Sequence, residues 1–67
     1  MNESAFNEYV SLIWEIRDTA ACICEWSDNH GDISPDEVNY SHVAAAQKVL
    51  NDLRDICRFA NIEIKED

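Results

Sequence analysis

The sequence predicts an all-α protein, an antiparallel helical hairpin that dimerises into a four-helix bundle. Two long segments carry apolar residues at helical spacing, and one short loop between them holds the only glycine and the only proline of 67 residues. So few glycines and prolines exclude a turn-rich all-β chain. The hydrophobic content of 46% argues against wholesale disorder, although the formal net charge of -9 works in the opposite direction.

The first segment predicts a helix over residues 4–28. Steps of four and three residues connect its apolar stripe, which consists of Ala5, Tyr9, Leu12, Ile16, Thr19, Ile23 and Trp26. Phe6, Ile13 and Ala20 widen this stripe. Such spacing is typical of a helix that buries one side.

The loop is predicted at residues 29–34 and the second helix at residues 35–60. Gly31 suits a left-handed turn after the first helix. Ser34 and Glu37 have the spacing of a capping box, and Pro35 between them fits a first helical turn. We expect the second helix to end near Asn61, a residue that tolerates left-handed backbone, and an acidic tail to follow over 61–67.

The second segment carries an apolar stripe of its own, which consists of Val38, His42, Ala45, Ala46, Val49, Leu50, Leu53, Ile56, Cys57 and Ala60. Both stripes are wider than a two-helix hairpin can cover, because the outer faces of a hairpin remain exposed to solvent. The sequence therefore predicts a single domain over 1–67 that forms a homodimer by two-fold symmetry. The expected oligomer interface consists of Tyr9, Leu12, Ile16, Ile23, Val49, Leu53 and Ile56.

The charge limits the classes of partner. Five bases against 14 acids do not provide the clustered Lys and Arg that bind nucleic acid or an anionic membrane. Most of the acids lie in the first half, the loop and the tail, whereas residues 38–60 sum to +1. This acidity favours a basic protein partner or serves solubility alone. No apolar run reaches the ~18 residues of a membrane span and no signal peptide is visible, so we expect a cytoplasmic protein.

No chemical motif stands out, so we expect no enzyme, no metal and no cofactor. A calcium-loop reading from residue 26 to residue 37 places Gly31 correctly but puts Trp26 where an aspartate ligand is required. Cys22 and Cys24 project about 200° apart on a helix and cannot share a metal. The odd number of cysteines, with Cys57 as the third, favours reduced thiols. His42 on the second apolar stripe is expected to be a core or interface histidine.

Trp14 is the residue that the periodicity does not explain, because it lies opposite the apolar stripe among polar residues. A tryptophan ringed by acids resembles an interface anchor. Its alternatives are local packing on Val10 and Arg17, or a contact inside a larger oligomer. The candidate partner-binding residues are Trp14, Glu8, Glu15, Asp18, Glu25, Asp28 and Asp32.

Three functions are therefore open. The first is an acidic interaction module that regulates or inhibits a basic, nucleic-acid-binding protein. The second is a self-assembling scaffold with no foreign partner, in which Trp14 and Phe59 are buried between copies. The third is a small-ligand binder with a pocket beside residues 44–46, for which His42 and its neighbours supply few polar groups.

Overall fold

A computed structural model describes residues 2–65, which are all-helical apart from short connections. The order is α1 (Glu3–Asp28), a 3-10 turn (His30–Asp32), a second 3-10 turn (Pro35–Glu37) and α2 (Tyr40–Ala60). The predicted fold class is confirmed as two long helices without strands in the described residues. The chain divides into two units at Ser34 and Pro35, each of which contains one long helix.

The beginning of α1 is set by a side-chain cap at Asn2. Its Oδ1 accepts a hydrogen bond from the Ala5 amide at 3.0 Å, and Glu3 places a carboxylate in the first turn. Both features satisfy or complement the free amides of a helix N-terminus. The helix over Glu3–Asp28 agrees with the predicted 4–28 within one residue.

The end of α1 is followed by left-handed backbone at three successive residues. His30, Gly31 and Asp32 have φ of 55°, 69° and 60°. Gly31 carries the left-handed conformation that its sequence position predicts, but His30 adopts it first. A Cβ placed on Gly31 would approach Cζ2 of Trp26 at 3.1 Å, so the Trp26 ring packs directly against this turn.

The predicted start of the second helix was wrong by five residues. Pro35–Glu37 forms only a 3-10 turn, and α2 begins at Tyr40 after the extended residue Asn39. The capping box expected at Ser34 and Glu37 is found instead at Asn39 and His42. Asn39 Oδ1 accepts from the Ser41 amide at 2.9 Å, and the Asn39 amide donates to His42 Nδ1 at 3.1 Å.

The C-terminus of α2 confirms the end that Asn61 predicts. Asn61 has a φ of 57°, and its amide donates to the Arg58 carbonyl. The Ile62 amide donates to the Cys57 carbonyl at 2.8 Å, which completes a Schellman motif. Of the predicted acidic tail, Glu66 and Asp67 lie outside the described residues.

Neither helix buries its apolar stripe within its own unit. No residue among those described is buried, in α1 or in α2. Six large apolar side chains on this side of α1, Phe6, Tyr9, Leu12, Ile13, Ile16 and Trp26, each expose between 38% and 64% of their surface. At roughly 180 Å² for a full side chain they present about 600 Å², which equals the largest apolar patch of a typical monomer.

The cap of α2 yields a direct test. Replacement Asn39→Ala removes the Oδ1 that accepts from the Ser41 amide, so we expect it to destabilise α2 by about 1 kcal/mol. Replacement Ser34→Ala, at the predicted cap, is the matched control and should change stability by less than about 0.5 kcal/mol. Circular dichroism melts at one protein concentration measure both. A larger loss for Ser34→Ala would contradict the observed start of α2.

Candidate protein-interaction surface

The candidate site lies on α1, whose helical spacing separates the predicted partner-binding residues into groups. At about 100° per residue, Trp14, Asp18, Glu25 and Asp28 fall within a sector about 80° wide. This group, which we name the acidic sector, extends over roughly 21 Å of the helix at ~1.5 Å per residue. All four side chains are exposed.

The remaining predicted partner-binding residues lie outside the acidic sector. Glu8 and Glu15 lie about 60–80° beyond Asp18 around the helix axis. They extend the negative surface but do not flank the indole. Asp32 belongs to the left-handed turn after α1, with a φ of 60°. The helix therefore brings together four of the seven predicted residues most closely.

Trp14 contacts the only base of α1. The guanidinium carbon of Arg17 lies 5.3 Å from the centroid of the Trp14 ring, a cation–π geometry. The indole remains 55% exposed, so this contact covers only part of it. Trp14 thus packs locally on Arg17, which is one of the alternatives predicted from the sequence. This packing leaves part of the indole free for a further contact. The spacing of three residues on a helix was the sequence signal for this pair.

The carboxylates of α1 have no cationic partners within the described residues. Both ion pairs found there lie in α2, between Lys48 and Asp52 at 3.0 Å and between Arg58 and Asp55. Because α2 pairs its acids with its bases, its surface is close to neutral. The two helices therefore differ in electrostatic character as well as in sequence.

The C-terminal end of α1 carries the wrong charge for its own stability. Helix C-termini are partially negative and favour Lys or Arg, yet the last turn of α1 has no base and ends in Asp28. Glu25 lies one turn earlier, and Asp32 follows in the next turn. Each such carboxylate costs about 0.3–1 kcal/mol in an exposed helix.

The predicted oligomer-interface residues remain available on their helices. Ile23, Val49 and Leu53 are half-exposed, and the other four, Tyr9, Leu12, Ile16 and Ile56, are exposed. His42, which is half-exposed, accepts the cap hydrogen bond from the Asn39 amide, and its place in an interface stays a prediction. Phe59 exposes 91% of its surface at the edge of the α2 apolar stripe, about 60° around the helix from Ile56.

Across residues 2–65, no group of three or more His, Cys, Asp and Glu side chains is placed to hold a metal ion. Cys22 and Cys24 are exposed free thiols and Cys57 is half-exposed. None of the helices in the described range is long and apolar enough to cross a membrane.

Comparison of the chain with protein-family models, with curated proteins and with solved structures gives no match.

The charge at the end of α1 gives a stability test. Replacement Asp28→Lys places a cation at the negative helix end, and we expect it to stabilise the protein by about 0.5–1 kcal/mol. The matched control Glu3→Lys makes the same charge change at the positive end and should destabilise it by a similar amount. Thermal melts at low ionic strength measure both. Equal effects of the same sign would refute the dipole argument and indicate only a general net-charge effect.

Proposed function

We propose that the protein is a small acidic interaction module, a homodimeric helical bundle that binds a basic protein surface. The observation that carries this proposal is the acidic sector, where Asp18, Glu25 and Asp28 align with a half-exposed tryptophan. Indole rings are frequent anchors of interfaces, and unpaired carboxylates steer and orient a cationic partner. The sector thus combines the two kinds of contact that a basic protein needs.

The cost of the sector to folding supports a functional role. Glu25 and Asp28 oppose the α1 dipole, and no described base offsets them. Local rules of stability are broken most often at functional sites. A cationic partner at this end would relieve the repulsion between neighbouring carboxylates and would also meet the negative helix terminus.

The class of partner follows from the row of negative charges. Carboxylates repeated along a helix can occupy the positions that phosphates take on a nucleic-acid-binding protein. We therefore expect the target to use Lys and Arg side chains for nucleic acid and to lose that binding in the complex. In this way the protein would act as an inhibitor or regulator.

The bundle would cover the apolar stripes. Within each chain, α1 and α2 would pair as an antiparallel hairpin, and two hairpins would bury Tyr9, Leu12 and Ile16 with Val49 and Leu53. The exposed stripes of both helices support this arrangement, because about 600 Å² of apolar surface on α1 alone approaches the roughly 800 Å² that each partner buries in a standard interface.

A self-assembling scaffold is the second candidate, and the exposure of aromatic residues outside the stripes favours it. Tyr40 and Phe59 expose 90% and 91% of their surfaces. If copies of this chain were the only partners, these rings and Trp14 would be buried in a larger oligomer. A capture experiment separates the two candidates.

The interaction module is tested by affinity capture from a cell lysate at about 50 mM and 500 mM salt. We expect a basic protein to be retained at low salt and released at high salt, because screening weakens charge attraction. Replacement of both Asp18 and Glu25 by Lys should reduce the retained amount at least about tenfold, and Trp14→Ala should reduce it at any salt.

Two matched variants complete this experiment. The double variant Asp36→Lys with Glu63→Lys makes the same change in net charge, but outside α1. We expect this variant to retain the partner. Phe59→Ala removes an exposed aromatic ring from α2 and should also retain it. Recovery of only the protein itself in every version would favour the scaffold, and equal losses in the sector variants and their controls would refute the assigned site.

A further inference from the structure

A second row of residues follows α1 beside its main apolar stripe. The row consists of Phe6, Val10, Ile13, Arg17, Ala20 and Cys24, which we name the second row. Its steps alternate between four and three residues, the spacing of a heptad core. From Ala5 to Ile23, the main stripe follows the same steps one residue earlier. The two rows are therefore about 100° apart around the helix.

Two offset heptad rows give α1 two adjacent apolar faces, the pattern of a helix that packs between two neighbours. A neighbour that inserts its side chains along the main stripe leaves the second row at its edge. In the second row, Phe6 exposes 55% and Ile13 exposes 45% of their surfaces, and Val10 is half-exposed. The guanidinium of Arg17 lies over Trp14, beside the row, so the aliphatic stem is the part of Arg17 that remains in the row.

Side-chain size along the second row indicates which helix covers it. The N-terminal half holds Phe6, Val10 and Ile13, which are large, and the C-terminal half ends in Ala20 and Cys24, which are small. A row that is large at one end and small at the other is complementary to a copy of itself in the reverse direction. Close packing requires large residues opposite small ones.

We propose that the second row packs against the same row of a second copy of this chain, with the two α1 helices antiparallel. A two-fold axis between the midpoints of the rows then places Phe6 opposite Cys24 of the other copy and Val10 opposite Ala20, each a larger side chain against a smaller one. At the centre of the contact it places Ile13 opposite the aliphatic stem of Arg17. All three pairs form in one register, because the two residue numbers of each pair sum to about 30. The proposal rests on the self-association proposed above. It specifies which face of α1 forms the contact and how the two α1 helices are oriented.

A parallel pair would be poorly matched. It would place Phe6 on Phe6 and Cys24 on Cys24, so that the helices are crowded at one end and leave a gap at the other. It would also bring the two Arg17 side chains to one level. The antiparallel arrangement separates these residues along the row and keeps the acidic sector at the rim, where a basic partner can reach it.

Salt should act on this contact in the opposite sense to its action on the basic partner. Each copy carries a formal net charge of -9, and the antiparallel register brings the ends that hold Glu3 and Asp28 together. Screening of this repulsion strengthens self-association. The two contacts therefore respond to salt in opposite directions. Added salt should strengthen the dimer and weaken binding of the basic partner, which distinguishes the two surfaces.

Disulfide trapping between two full-length chains tests the proposal. Both chains carry Cys22→Ser and Cys57→Ser; one retains Cys24, and the other carries Phe6→Cys with Cys24→Ser. Oxidised glutathione is added to each chain alone and to their mixture. We expect several-fold more disulfide-linked dimer in the mixture than in either chain alone, with a mass equal to one copy of each. Residues 6 and 24 of one helix are about 27 Å apart and cannot link within a chain.

Different results would overturn the proposal. Efficient linking of the Cys24 chain to itself would show a parallel pair. A mixture that sediments as a dimer but links no more than its separate chains would place the interface on another face, and the proposed self-association would survive. If Phe6→Cys prevents assembly, the pair Val10→Cys and Ala20→Cys, in chains with Cys24→Ser, tests the same register. A monomeric wild-type chain at ~100 μM would refute both the interface and the dimer.

Discussion

The constraint on which the structure depends is apolar surface that neither helix covers by itself. A helix in water gains most of its stability from packing an apolar face, since nucleation is costly and propagation gains little. In the described residues, α1 and α2 both place Leu, Ile and Val along one side and bury none of them. Caps at Asn2, Asn39 and Asn61 define where the helices begin and end, but each contributes only about 1 kcal/mol. We therefore propose that association supplies the stability that the caps do not.

The two helices differ in how their charges are paired. In α2, Lys48 and Arg58 pair with Asp52 and Asp55 within one turn, as expected of a helix whose exposed side stays in solvent. In α1, six carboxylates surround a single base, and that base lies over Trp14. Two of these carboxylates, Glu25 and Asp28, lie near the negative end of the helix dipole. We infer that α2 serves mainly the assembly, whereas α1 serves both the assembly and recognition.

The sequence predicted α1 and the end of α2 well, because both depend on local signals. The long periodic pattern predicts α1, and Asn61, a residue that tolerates left-handed backbone, predicts the end of α2. It misplaced the start of α2 because two capping signals compete within six residues. Ser34, Pro35 and Glu37 form a good box by residue type, but the turn that they start stops at Glu37. Asn39 and His42 form a better-bonded box, in which an imidazole nitrogen accepts where Glu or Gln is usual. The stacking of Arg17 on Trp14 and the alignment of Asp28 with Trp14 both follow from helical spacing, because the predicted helix already extends to residue 28.

The central claim is that association covers the apolar stripes, and thermal unfolding as a function of protein concentration tests it most directly. Circular dichroism melts between about 1 and 100 μM, with sedimentation velocity at the same concentrations, give stability and mass together. For a dimer whose folding is coupled to association, the midpoint rises with concentration and the folded species has twice the mass of the chain. A midpoint independent of concentration, with a folded species of 7.7 kDa throughout, would contradict the claim.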